Sequence, residues 1–407
     1  MPDTVAIKEN TLWTKGFSGL LLINLLLCFG FYMLPPTLPA YVKEIGGSNL
    51  QASLVFGIFS STSLVTRVIA GNVVDAKGEK VIMLLGMSAV AICTLAFIWL
   101  PVDAILLLRG LQGVGWGMAT AAIATAVYKI VPVERRGEGS GYYALTTIVS
   151  MSLTPMVAIL VMSSYGFAPV MAVAASLAAA AIWFTAGRTA PSLPDGPVPK
   201  DRRPISLSNV FEKGALLPST LCFLLSIPLC GVMGFLLLLG KELRLDNVWL
   251  FFIGYTAAIL LTRRFVGRLL DRRGHFVIIL PGSILVILGL AVLAVAHSTA
   301  GLVLASLLFG LGYGAVQPSL QTWAVNRCPA NRKGAANGLF LSAIDLGYLV
   351  GSIPLGYIAG LKGYAAMYGY SAAVMVIFLI VYLLAAVKLR MFVTSTRPRK
   401  IKEPPAT

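Results

Sequence analysis

The 407-residue chain is 57% hydrophobic and only 12% charged, whereas soluble domains carry roughly 25% charged residues, so most of it must face lipid. At about 20 residues per span the length allows about twelve membrane crossings with short connections. The net charge of +16 does not point to nucleic acid, because the basic residues mark the ends of apolar runs rather than one amphipathic face.

A polar stretch over residues 1–15 leads into an apolar run at about 17–41 that carries Asn24 and is broken near its far end by Pro35, Pro36 and Pro39. No small-residue cleavage site follows, so it reads as a retained span. Runs at about 50–74, 80–100, 103–130, 139–163 and 167–187 supply spans 2 to 6, with Pro101-Val-Asp103 as the turn between the third and fourth. Composition then changes abruptly. Pro191, Pro194, Pro197, Pro199 and Pro204 lie among Asp195, Asp201, Arg202 and Arg203, a segment that neither stays in hydrocarbon nor continues a helix. It predicts a cytoplasmic linker over 188–214, between an amino-terminal unit, 1–187, and a carboxy-terminal unit, 215–407. Runs at about 216–240, 248–270, 276–297, 299–325, 335–360 and 364–389 follow, and a basic tail from Arg397 to Lys402 closes the chain.

Charge sets the orientation. With the amino terminus inside, 27 Lys and Arg fall at inner ends and four at outer ends, namely Lys43, Lys241, Arg244 and Lys362, while Arg109 remains within a span. This asymmetry puts both termini and the linker in the cytoplasm. The five cysteines have no paired ligand spacing and read as small buried hydrophobes. His275 lies in a hairpin and His297 at an outer end, so no metal site is expected.

The chain also looks built twice. Gly71-Asn-Val-Val-Asp75-Ala-Lys-Gly78-Glu-Lys80 returns, altered, about 196 positions later as Gly267-Arg-Leu-Leu-Asp271-Arg-Arg-Gly274-His-Phe276. At a similar offset, Pro132-Val-Glu134-Arg135-Arg136-Gly137 aligns with Pro329-Ala-Asn331-Arg332-Lys333-Gly334, and Gly113, Gly115 and Gly117 align with Gly310, Gly312 and Gly314. The expected fold is therefore all-α and integral to the membrane, with twelve transmembrane helices in two pseudo-symmetric six-helix bundles. Such halves face one another across a central cavity, hold substrate near the midplane and alternate access by rocking.

The hairpin resembles the loop signature G-x-x-x-D-x-x-G-x-K/R of the major facilitator superfamily, twelve-span secondary transporters that carry it between spans 2 and 3 and more weakly between 8 and 9. The resemblance implies a latch between the halves in the outward-facing state. It involves Gly71, Asp75, Gly78, Lys80, Arg135 and Arg136 in the first half, and Gly267, Asp271 and Gly274 in the second. Asp75 can cap a neighbouring helix and pair with Arg135 or Arg136, or it can be a solvated turn carboxylate. Ala76 and Glu79 stand where the family usually has basic residues.

Two charges inside spans draw attention. A guanidinium at the bilayer centre costs about 2.5–3.5 kcal/mol on insertion scales, yet Arg109 sits in Leu108-Arg109-Gly110-Leu111-Gln112-Gly113. The run is similar to the R-x-x-Q-G motif of proton-coupled exporters in the superfamily, implying proton handling or maintenance of substrate geometry; snorkelling to the outer surface is the alternative. Asp345 is the carboxylate placed deep in a span, with Ile148 as its first-half counterpart. A carboxylate in a wet, low-dielectric cavity takes and releases protons near neutral pH, so Asp345 is the first candidate for a proton site. The other readings are pairing with a polar group on another span and attraction of a cationic substrate. Asn24, Tyr32, Gln112, Tyr142, Tyr143, Gln317, Gln321, Trp323, Asn337 and Tyr348 either line a mixed polar and aromatic cavity or join helices.

No phosphate-binding loop and no catalytic cluster suggests an enzyme. The expected protein is a secondary active transporter, driven by the proton gradient without a cofactor. It binds protons and a small-molecule substrate as a monomer in the bilayer of a bacterial inner membrane, with no nucleic acid as partner. Proton-coupled efflux of a small amphipathic drug, metabolite or metallophore leads; the alternatives are a proton symporter importing a sugar or organic acid, and a non-transporting membrane sensor. The antiporter motif G-x-x-x-G-P-x-x-G-G keeps only Pro155 in span 5, and a similar run, Gly347 to Gly356, lies in span 11.

Overall fold

In hydrocarbon the backbone has no water to bond, so the apolar runs close their hydrogen bonds within helices. A computed structural model describes residues 12–132, 135–187, 212–245, 247–329 and 332–388, and among these it contains helices and connecting turns but no strand. Helices α1 (Lys15–Tyr32) and α2 (Leu34–Glu44) are two arms of one pass. Proline fits the first turn of a helix but not its interior, and the chain restarts at Met33 so that Pro35 and Pro36 fall in the first turn of α2. Helices α3 (Asn49–Lys77), α4 (Glu79–Ala96), α5 (Val102–Ile130), α6 (Arg136–Tyr165) and α7 (Phe167–Ala186) follow. Ser48 caps α3 reciprocally with Gln51, fixing where the second pass begins.

The linker lies outside the described residues up to 211, as does the basic tail. After it come α8 (Lys213–Leu243), α9 (Trp249–Arg273), α10 (Phe276–Val295), α11 (Thr299–Asn326) and α12 (Lys333–Lys388). Helix α12 turns back at Gly363, with φ 84°, and so holds two passes, which brings the passes among the described residues to twelve. Eight described segments are long and apolar enough to cross a membrane, with α12 counted once. Three helices carry an arginine in their length: Arg67 in α3, Arg109 in α5 and Arg263 in α9.

The repeat has a physical basis in helix contacts. A Cβ on Gly113 of α5 would lie 2.6 Å from the carbonyl oxygen of Phe59 on α3, and one on Gly310 of α11 would lie 2.8 Å from that of Tyr255 on α9. Phe59 and Tyr255 are themselves equivalent positions. Gly115 and Gly312 meet α4 and α10 in the same matched way, against Gly86 and Gly282. Small residues let membrane helices approach to backbone contact, so both halves use the same three-helix joint.

Between the halves α3 packs against α12, α6 against α9 and α2 against α8. One end of these seams is sealed. On the face that bears Gly363, Tyr364 of α12 donates its hydroxyl to Asn49 of α3 at 3.2 Å and Lys241 of α8 meets Glu44 of α2 at 3.4 Å, while within the second half the Tyr364 backbone N–H donates to Glu242 at 3.0 Å. The larger apolar core runs without a break from Met33, Leu34 and Val55 to Leu229, Leu236 and Leu355 across the same region. The opposite face carries the two hairpin glycines, Gly78 and Gly274, at φ 82° and 76°, a conformation that other residues reach only with strain.

Candidate functional site

The seam between α3 and α12 holds an ion pair. Arg67 Nη1 donates to Asp345 Oδ2 at 2.6 Å, and the two side chains keep 26% and 18% exposure. Each charge alone is costly in hydrocarbon, and each is offset because the other stands opposite. Of the readings open for Asp345, the structure places it against a polar group on another span. Arg67 was not expected there. The charge count placed it among inner-end cations, but α3 continues ten residues beyond it to Lys77, so it lies well inside the helix. Arg263, its equivalent in the second half, likewise lies inside α9, which runs on to Arg273. The signal was available: each arginine stands four residues before a hairpin glycine, Gly71 or Gly267, in both copies of the repeat.

Aromatic groups surround the pair. Tyr32 packs edge-on against Phe31 and Trp116, with ring centroids 5.4 and 6.4 Å apart, Tyr143 is half-buried, and Tyr313 lies against Phe309 and Tyr255 at 6.1 and 6.3 Å. Tyr348 stacks on Phe56 across the seam, with ring centroids 6.2 Å apart and planes 11° apart. Of the other cavity candidates, Asn24 is buried and donates to Thr146 and Thr147 at 2.7 and 3.1 Å, which makes it a joint between α1 and α6. Tyr142 packs edge-on against Trp13, Gln321 donates to Asn337 at 2.9 Å, Trp323 stacks on His275, and Gln317 is half-buried.

Arg109 is 0% exposed, which removes the snorkelling alternative. Its Nε donates to the Val55 carbonyl at 3.1 Å, Nη1 donates to Gln112 Oε1, and Gln112 passes a bond of 2.7 Å to Thr94. The guanidinium lies over Phe59, 4.3 Å from the ring centroid, and more distantly over Phe31. Four helices, α1, α3, α4 and α5, thus converge on one buried cation, and Gln112 belongs to this joint rather than to an open wall.

At the hairpins the side chains of Gly71, Asp75, Asp271 and the run from Val133 to Glu134 lie outside the described residues. Lys80 reaches the Ala186 carbonyl at the end of α7 at 3.5 Å, a favourable place for a cation at a helix C-terminus. Arg135 bonds Glu138, and Arg136 stacks on Tyr128 at 3.8 Å while donating to its hydroxyl at 2.7 Å. A Cβ on Gly267 would meet nothing within 4 Å. Glu79, the departure from the family pattern, is buried and paired with Lys129 of α5.

His275, between α9 and α10, contacts the Tyr382 hydroxyl through Nδ1 at 3.1 Å. Burial, and then the charge of Arg327, lower its pKa to about 4, so it is neutral at pH 7. Among the described residues no cluster of three or more His, Cys, Asp or Glu could hold a metal ion, and the five cysteines are free and buried.

Known membrane transporters are similar to this chain in sequence and fold. A staphylopine export protein of Staphylococcus aureus is 22% identical, the match covering 81% of this chain and 86% of the relative. A multidrug resistance protein MdtG of Yersinia enterocolitica is 27% identical over 87% and 90%, and an MFS-type transporter of Methanocaldococcus jannaschii is 23% identical over 89% and 93%. Two solved folds superpose well: the nucleoside transporter NupG, with a TM-score of 0.68, 16% identity and coverage of 90% of this chain and 98% of that one, and a POT family transporter bound to 5-aminolevulinic acid, at 0.73, 13%, 92% and 96%. With the profile of the Major Facilitator Superfamily matching residues 20–352, the twelve-pass duplicated chain with an ion pair in its seam belongs to that superfamily of membrane transporters, and it is not an enzyme.

Proposed function

We propose that this chain is a proton-driven exporter of a small amphipathic organic compound, a drug, metabolite or metallophore, working by alternating access. The observation that carries the reading is the Arg67–Asp345 pair across the seam between α3 and α12. A proton arriving at Asp345 discharges the carboxylate and removes one of the bonds that hold the halves together; its departure restores the bond. Protonation thereby becomes a change in the balance between two rigid-body arrangements, which is what coupling requires. The units 1–187 and 215–407 are the moving bodies, joined by the 188–214 linker. The charge asymmetry makes the Gly363 face extracellular and leaves both termini in the cytoplasm of a bacterium. The sealed Gly363 face then corresponds to a state closed to the outside. Asp75 and the hairpin basic residues latch the opposite face, and Arg109 holds the geometry of the first half.

The names of two relatives, an exporter of staphylopine and a multidrug resistance protein, favour efflux over uptake. The protein acts as a monomer, with a proton gradient in place of a cofactor. The test is flux in proteoliposomes under an imposed pH gradient, screened across drugs, metallophores, sugars and organic acids. Counterflow of protons with a drug or metallophore is expected, and cotransport with a sugar or organic acid would overturn export. Asp345→Asn should abolish uphill movement while leaving exchange down a substrate gradient. Equal uphill transport by that variant would remove Asp345 from the coupling step.

A further inference from the structure

A ring of the first half sits inside the second. Phe56 of α3 is 4% exposed, and a Cβ added to Gly234 of α8 would stand 2.3 Å from its Cε2 and 2.6 Å from its Cζ, so the ring edge fills the volume of a missing side chain. Two aromatic walls complete the notch. Phe235 of α8 meets Phe56 edge-on and Tyr348 of α12 lies nearly parallel to it, each with ring centroids 6.2 Å away. Gly234, Phe235 and Tyr348 all belong to the second half, and none of them carries a charge.

The ring holds a defined level in the seam. Asn49, Ser53, Phe56, Ser60 and Arg67 follow one another at spacings of about three, four or seven residues and so share one face of α3. Along that face Asn49 accepts from Tyr364, Ser53 lies against Gly356 of α12, and Arg67 meets Asp345. At about 1.5 Å per residue, Phe56 lies about 10 Å inside Asn49 and about 16 Å short of Arg67. The Lys241–Glu44 bridge above it is exposed on both sides and does not exclude water. Below the ring, Ser60 is buried. The aromatic layer is therefore where the seam turns dry.

We propose that Phe56 and Gly234 form a plug, a ring on one half and a notch on the other, which seals the seam from the Gly363 face when engaged and parts when that face opens. Resting on the alternating-access reading, the plug assigns water exclusion to two residues rather than to the polar bridge above them. It also accounts for glycine at 234, where any side chain would hold the ring out.

The test reads access, not flux, so it does not depend on which compound is carried. Ser60→Cys, one turn beyond Phe56 on the same face, is treated in intact cells with a membrane-impermeant methanethiosulfonate. Asn247→Cys, exposed in the turn between α8 and α9, checks that the reagent reaches this face. The five native cysteines are buried, and the chain without Ser60→Cys gives the background. Labelling at position 60 should be slow with Phe56 present and at least about tenfold faster with Phe56→Ala, as the sealed population falls. Gly234→Phe alone puts two rings in one place and should also speed it. The two substitutions together return one ring to the notch from the opposite wall and should restore slow labelling. A rate unchanged by Phe56→Ala, or a double variant as fast as either single, would overturn the plug. Should Gly234→Phe fail to reach the membrane, the Phe56→Ala comparison decides alone. The transporter reading fails on the flux screen instead, whatever this labelling pattern shows.

Discussion

A guanidinium with no water around it keeps its charge only if fixed dipoles replace the hydration shell, and at Arg109 a carbonyl, an amide oxygen and two aromatic faces do so. Arg109→Met should therefore strand Gln112 Oε1 and remove the second donor to the Val55 carbonyl, at a cost of about 1–3 kcal/mol for the buried amide oxygen left unpaired. The expected result is a lower Tm for the purified variant and little change in which substrates are carried; an unchanged Tm would mean that the joint holds nothing. The sequence made Arg109 and Asp345 conspicuous because a charge inside an apolar run has few explanations. It could not say that one is a joint within a half and the other a contact between halves, since that depends on which helix lies opposite. Arg67 stayed hidden for a related reason: it stands close enough to polar hairpin residues to pass for an end-of-span cation, and only the length of α3 beyond it shows its depth.

Helix pairs in this chain are joined where side chains are missing. A Cβ on Gly312 would stand 2.5 Å from the Gly282 carbonyl oxygen, so Gly312→Leu should force α10 and α11 apart and cost about 1–3 kcal/mol of overpacking strain. Gly141 of α6 has nothing within 4 Å, and Gly141→Ala should instead gain about 0.5–1 kcal/mol from helix propensity. Thermal unfolding of the two variants should move in opposite directions. At the second hairpin, His275 provides a pH signature. Its pKa is lowered to about 4 in the folded chain from 6.5, so between these values the unfolded state binds more protons. Its contribution is complete above pH 6.5 and is lost as pH falls towards 4. His275→Phe should flatten the dependence of Tm on pH in that window, and an unaltered profile would contradict a buried neutral imidazole. Spans, hairpins and the break at Met33 were legible because apolar length, glycine and proline act locally. The single turning element of α12 was readable as two runs, since Gly363 sits between them.

Across the whole molecule, the α3–α12 and α2–α8 seams are bridged at one face, and the first of them is joined deeper down by the Arg67–Asp345 pair. The sequence announced the repeat, but not which end of the seams is shut, because that is a choice between two packings of the same residues. If transport works by alternating access, the shut face must open in every cycle, and a covalent staple there must stop the cycle without touching the substrate site. The geometry offers one: a Cβ on Gly360 would lie 3.4 Å from Cβ of Asn49, close to the spacing of about 3.5–4.5 Å that a disulfide spans. The five native cysteines are buried and so compete little for oxidant. Asn49→Cys combined with Gly360→Cys should transport when reduced, stop on oxidation and recover with reductant, while either single variant ignores both treatments. Continued flux through the oxidised double variant, with the cross-link verified by its shifted mobility after cleavage of the linker, would show that this face need not part and would end the rocking account.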